Sequence, residues 1–387
     1  MLDQATGAAE VTPIRPLKRA IEPPPMLAKE QISDTDVNLM VDRSLSLAGR
    51  YMEIASSPEK PIPETCKPAM HLRVFTTLIE ARRQGRDATD ADLIGSLGRL
   101  DPVFQEERLA IGDSDLPTIG IEVEIDNEHL PFANNYGDPT ALIDGLRKMG
   151  IAVSQEGFNR MRTPTELSFP PSFSAAVQNE MLEQLINAGI IPTETNFLPL
   201  HVNLGFQYKV APQDQVIVED AHRISDVITY AYVPSERVRR RAYKNAVVIK
   251  NTNMESIHTE KEMAPKSLVE FRTPRMTGPE IYSLTREIQL LGKLLFPMDK
   301  EMLKLHDEFS SDVDRMLKFN NLPLNAPTDD RFAAAYAIRD ALEEKNQNNS
   351  EIESVTIIDQ SKGVIEKFIG KIIAIKPREE LTSYAAD

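Results

Sequence analysis

One cysteine, Cys66, stands in 387 residues. No intramolecular disulfide can form and no cysteine-built zinc site can be assembled, so a reducing, cytoplasmic setting is the expectation. Nowhere do 18 apolar residues run together, and the first 25 residues hold no apolar run of signal-peptide length. Neither a membrane-spanning helix nor a secretion signal is expected. Positive charge is also scarce: 44 Lys and Arg face 59 Asp and Glu, a formal net charge of −15. That excess argues against a general nucleic-acid binder and against adsorption to anionic membranes. Neither G-x-x-x-x-G-K-[ST] nor G-x-G-x-x-G occurs, so neither familiar glycine loop cradles phosphate here. No fixed repeat period is visible, which argues against a solenoid.

What is present reads as a soluble globular chain with a sizeable core, 41% hydrophobic and 27% charged. Residues 1–30, with Pro23, Pro24 and Pro25, carry few large apolar side chains and are expected to form a flexible arm. Residues 31–115 form an expected helical prefix. Val37, Val41, Leu45, Ala48 and Met52 recur at helical spacing, Met70, Val74 and Leu78 do so again, and Thr89 to Leu97 gives a third, shorter helix. Beyond Pro297 the pattern is helical over Met302 to Phe319 and Arg331 to Glu344. A strand is expected at Ser354 to Asp359, then an amphipathic segment from Val364 to Ile375.

The segment between, 116–296, has a different texture. In TIGIEVEID, Thr118 to Asp126, Ile119, Ile121, Val123 and Ile125 alternate with Gly120, Glu122, Glu124 and Asp126. That is a strand with one apolar and one acidic face. TPTELSFPP sets Glu166 and Ser168 opposite Leu167 and Phe169. LPLHVNLGF sets His201, Asn203 and Gly205 opposite Val202, Leu204 and Phe206. SLVEFRTPR sets Glu270 and Arg272 opposite Val269 and Phe271. Helices are expected after Asp138-Pro139 and Ser174, ending at Gly150 and Gly189, then from about Glu219 to Tyr232 and from Thr277 to Leu295. Ala246 to Ile249 reads as a short apolar strand.

Each strand alone is explained by a wetted polar face. If the strands share one sheet, four carboxylates converge with a single imidazole. Such an array repels itself by several kcal/mol unless cations lie between the anions. Carboxylate oxygens with one nitrogen donor and no thiolate suit Mg²⁺ or Mn²⁺ better than structural zinc, and magnesium commonly meets substrate phosphate. Arg272, next but one to Glu270, offers the planar fork that phosphate oxygens accept.

The ordered runs GIEVE, ELSFP, LHVNLGF and VEFRTPR, over about Gly120 to Arg275, resemble the glutamine-synthetase-like carboxylate–amine ligases, especially the stand-alone amidoligases. The resemblance implies an α+β fold whose antiparallel sheet binds ATP and Mg²⁺ or Mn²⁺ on its concave face, with helices on the outer face. It implies that Glu122, Glu124, Glu166, His201 and Glu270 are metal ligands and that Arg272 meets the transferring phosphoryl group. Glu122, Arg272 and Asn203 would then be catalytic. ATP would phosphorylate a substrate carboxylate and an amine would displace the phosphate, giving an amide or isopeptide bond. One departure is that Asn203 stands where many relatives carry a second histidine; an amide donates and accepts but carries no proton. Another is that SQEGFNRMRTP, ahead of Glu166, lacks the aspartate-and-serine pattern often seen there.

The basic run SERVRRRAYKN offers Arg239 and Arg241 as contacts for ATP phosphates, or else is a solvated loop. His71, His129, His222, His258 and His306 read as packing or surface histidines. Two other functions fit the same strands: a ligase-like scaffold without activity, and a phosphotransferase of the guanidino-kinase kind.

Overall fold

The structure, a computed structural model, describes residues 32–57, 60–113, 116–125, 139–155, 165–191, 200–206, 215–232, 247–251, 267–273, 280–295, 300–320, 322 and 357–375. The arm at 1–30, the basic run with Arg239 and Arg241, the expected helix at 331–344 and the cap at Thr277 lie outside them. In chain order the elements are α1 (Asp34–Ala55), a 3-10 turn (Glu64–Cys66), α2 (Lys67–Arg83), α3 (Asp90–Gly98), α4 (Asp101–Ile111), β1 (Thr118–Ile125), α5 (Pro139–Lys148), β2 (Ala152–Gln155) and β3 (Thr165–Ser168). There follow α6 (Ala175–Asn187), β4 (Leu200–Phe206), α7 (Gln215–Tyr232), β5 (Val247–Asn251), β6 (Ser267–Thr273), α8 (Glu280–Gly292) with a 3-10 turn (Lys293–Leu295), α9 (Lys300–Phe319) and α10 (Ile357–Ala374).

The strands form one six-stranded sheet in the order β2-β3-β1-β4-β6-β5, and each neighbouring pair is antiparallel. The architecture is α+β. Ile119, Ile121, Val123 and Ile125 of β1, Leu167 of β3, Val202 and Leu204 of β4, and Val269 and Phe271 of β6 are all buried on one face. β-branched and aromatic side chains suit such a pleated, half-buried surface. Over that face α6 packs on β1, α8 on β4 and α7 on β5 and β6. Register is pinned because slipping by one residue would turn the apolar side chains to the polar face and bring glycine, polar and charged residues into the core.

The helical prefix packs behind this layer, α2 and α4 against α6 and α1 against α5. Ser33 and Thr89 close reciprocal capping boxes with Asp36 and Asp92. Gly150 ends α5 at φ +98°, a conformation costly for any side chain, and an added Cβ would also crowd Pro68 at 3.1 Å.

Two expectations need correction. The prefix holds a fourth helix, α4, that apolar periodicity does not announce because its buried stripe is Phe104, Glu107 and Ala110, one of them charged. The strand expected at Ser354 to Asp359 does not form over its described part: α10 begins at Ile357. Tertiary packing overrides the local β preference there, because Ile357, Ser361, Ile365, Phe368 and Ile372 make a buried stripe at helical spacing. α10 packs on α7, α8 and α9, and Phe368 meets Phe309 of α9 edge-on at 5.2 Å.

Candidate metal centre

The sheet order sets the four motif-bearing strands side by side as β3-β1-β4-β6. Their polar faces coincide. One row across the strands reads Ser168, Glu122, His201, Arg272; the next holds Glu166 beside Glu124; a third reads Gly120, Asn203, Glu270. All seven residues expected to act on these strands therefore share one face of one sheet, and His201, Asn203 and Glu270 are buried there.

The helix beneath β1 holds this strand in place. Oε1 of Gln178, on α6, accepts from the backbone N–H of Ile121 at 3.0 Å, while its Nε2 donates to Pro170 O and Ser172 Oγ. The start of α6 is capped from the prefix. Ser174 occupies the N-cap position but its side chain makes no capping bond; instead the buried Glu107 carboxylate of α4 accepts from Phe173 N at 2.9 Å and Ser174 N at 2.7 Å, and from Thr65 Oγ1. A carboxylate at a helix N-terminus is favoured by the free N–H groups and the helix dipole. Gln289 of α8 completes the tie, accepting from Ala175 N and donating to Pro117 O, next to β1, and Phe173 O. Sequence reasoning missed Glu107, Gln178 and Gln289. Only burial reveals them, since a lone Glu or Gln in a helix reads as surface.

His201 is the centre of the polar face. Its Nδ1 lies 3.5 Å from Glu122 Oε2 and 3.3 Å from Glu270 Oε1, and its Nε2 lies 3.7 Å from Glu124 Oε1. Burial works against the imidazolium, but attraction to the carboxylates of Glu122 and Glu270, and then Glu124, outweighs it and pushes His201 up to about 9. Without a metal ion, the imidazolium is the cation that this acidic cluster holds. Glu166 is raised above its ordinary range, first by burial and then by the Glu122 charge, although Ser168 Oγ donates to it at 3.0 Å. It stands directly across from Glu124, an arrangement of like charges that destabilises a sheet. Arg272 places Nη2 3.3 Å from Glu270 Oε2, while its Nε is buried without an acceptor.

These residues fit a hard divalent cation. Glu122, His201 and Glu270 each offer a ligand atom, and the three atoms lie within 4.8 Å of one another. Octahedral Mg²⁺ with bonds of about 2.1 Å holds its ligand atoms about 3–4 Å apart, so small rotamer changes would gather this set. Oδ1 of Asn203 is buried with no hydrogen-bond partner among the described residues, as expected of an atom facing a ligand rather than a protein group. Glu124 and Glu166 stand on the other side of the imidazole, away from Asn203. No helix among the described residues is long and apolar enough to cross a membrane.

The fold and site define a class: an α+β protein carrying a carboxylate–histidine constellation on one face of an antiparallel sheet. Beyond that class, no protein-family model and no curated protein matches the chain.

Proposed function

We propose that the chain is an ATP-dependent carboxylate–amine ligase that uses Mg²⁺ or Mn²⁺ and forms an amide or isopeptide bond. One observation carries the reading: the four strands whose sequences resemble the amidoligase motifs are contiguous, and their Glu122, Glu124, Glu166, His201, Glu270 and Arg272 share one face. The physical requirement of phosphoryl transfer agrees with that set. Catalysis of this step is mostly positioning and neutralisation of charge over the transferring oxygens.

Glu122, His201 and Glu270 would hold one ion, and Glu124 with Glu166 a second. Ions bound there would supply neutralisation of phosphate charge. Arg272 would offer a planar donor fork to the transferring group. A carboxylate oxygen of the acid substrate attacks the γ-phosphorus and ADP leaves. The amine nitrogen then attacks the acyl carbon, the C–O bond to phosphate breaks, and the nitrogen loses a proton as phosphate departs. Burial of Glu270 and His201 keeps water from screening these charges.

The test is a thermal melt of the full chain with and without MgATP, then an assay of ADP and phosphate over panels of acids and amines. A ligand bound only to the native state at a hundredfold its Kd stabilises by about 2.7 kcal/mol. Phosphate released only when an amine is present supports ligation. Phosphate retained on the product identifies a phosphotransferase, and no melting shift at saturating MgATP identifies a scaffold.

A further inference from the structure

Asn203 is 9% exposed, and its Oδ1 is wholly buried with no hydrogen-bond partner among the described residues. A buried carbonyl oxygen that has given up water for nothing is a standing cost to the fold. Its neighbours in the sheet explain why no described residue supplies the contact. Across β1 its partner is Gly120, which has no side chain, and across β6 it is Glu270, whose carboxylate only accepts. Two residues along β4 and on the same face lies His201, whose Nδ1 is directed to Glu122 and Glu270. What fits an orphan acceptor among acceptors is a cation, and carboxamide oxygens are regular ligands of hard divalent ions.

We infer that Asn203 Oδ1 is a fourth ligand of the ion held by Glu122, His201 and Glu270, a neutral oxygen beside two carboxylates and an imidazole. The inference rests on the divalent-ion reading of the site. It gives a role in this chain to the amide that departs from the His-x-His pattern: Asn203 offers the ion an oxygen without adding charge or a titrating proton.

Mn²⁺ titration of the full-length protein, followed by calorimetry and by electron paramagnetic resonance of free ion, tests this without any substrate. Asn203→Ala is expected to weaken Mn²⁺ binding by roughly tenfold or more. Asn203→Asp, which keeps an oxygen in place and adds charge, should bind at least as tightly as wild type. Metal-free Asn203→Ala should melt no lower than metal-free wild type, since it removes an unsatisfied acceptor, while its stabilisation by Mn²⁺ shrinks. Equal Mn²⁺ affinity in wild type and Asn203→Ala overturns the inference and leaves the ion site standing. A metal-free Asn203→Ala protein that melts well below wild type marks a packing role and overturns it too. Absence of Mn²⁺ binding to wild type overturns the ion reading itself, a result distinguishable from both.

Discussion

Replacing Glu107 tests how the prefix supports the sheet. This carboxylate is wholly buried in α4 and takes three hydrogen bonds, from Phe173 N, Ser174 N and Thr65 Oγ1. Glu107→Ala leaves two backbone N–H groups at the start of α6 and one hydroxyl without an acceptor in a dry interior. Each orphaned donor costs about 1–3 kcal/mol, and the carboxylate's favourable place at the helix N-terminus is lost as well. Some of that is recoverable, because Ser174 Oγ is buried and unpartnered at the N-cap position and can turn to bond the helix. The expected net loss is about 3–5 kcal/mol, a large share of the 5–15 kcal/mol typical of whole proteins. Glu107→Gln keeps one accepting oxygen and should lose about half as much. Urea unfolding reads both as a lower midpoint at an unchanged slope. Since α6 also carries Gln178, bonded to Ile121 of β1, the Ala variant should bind Mn²⁺ more weakly although Glu107 touches no ligand. A loss under about 1 kcal/mol in Glu107→Ala together with Ser174→Ala would refute the reasoning.

Further tests follow from other parts of the molecule. Burial pushes His71 down to about 4, so between pH 6.5 and 4 the unfolded chain binds a proton that the folded chain refuses. Stability therefore falls as pH drops through that window, by at most about 3 kcal/mol, and urea midpoints of His71→Gln should show a shallower decline; parallel curves would exclude the effect. Gly292 closes α8 against β4, where an added Cβ would fall 2.3 Å from Leu204 Cδ1 and 3.3 Å from Pro117 Cγ. Gly292→Ala should cost about 1–3 kcal/mol by overpacking, checked by calorimetric melting, and a neutral result would mean that this face yields. Arg73 pairs with the 7%-exposed Glu180 at 2.7 Å, so Arg73→Met should destabilise by about 3–5 kcal/mol while the double change with Glu180→Leu recovers most of it. At the site, Glu122→Ala or Glu124→Ala should abolish ATP turnover while circular dichroism stays unchanged, since both side chains stand on the wetted face; full activity in either variant would remove the ligase proposal.

Much of the sheet was legible because its strands carry a period of two without interruption. Ile119 to Ile125, Val202 to Leu204 and Val269 to Phe271 each announce a buried face, and the polar residues between them are then obliged to share the other. The helices α1, α2, α3 and α9 were legible for the matching reason, an apolar stripe at 3.6. α4 was not, because its buried stripe includes Glu107, and α10 was misread at its start because Ile357 belongs to a stripe completed eight and eleven residues later.

By itself, then, the sequence determined which strand faces are apolar and which carry Glu122, Glu124, Glu166, His201, Asn203, Glu270 and Arg272, since alternation is a local property of an extended chain. It also determined the chemical type of any ligand set, oxygen-rich with one imidazole and no thiolate. Tertiary structure alone decided the strand order β3-β1-β4-β6 and the register that sets Glu122 opposite His201 and Asn203 opposite Glu270. Those pairings join residues separated by tens of positions in the chain, and they depend on how helices α6, α7 and α8 cover the apolar face. Which buried polar atoms find partners, and that Asn203 Oδ1 does not, follows only from that packing.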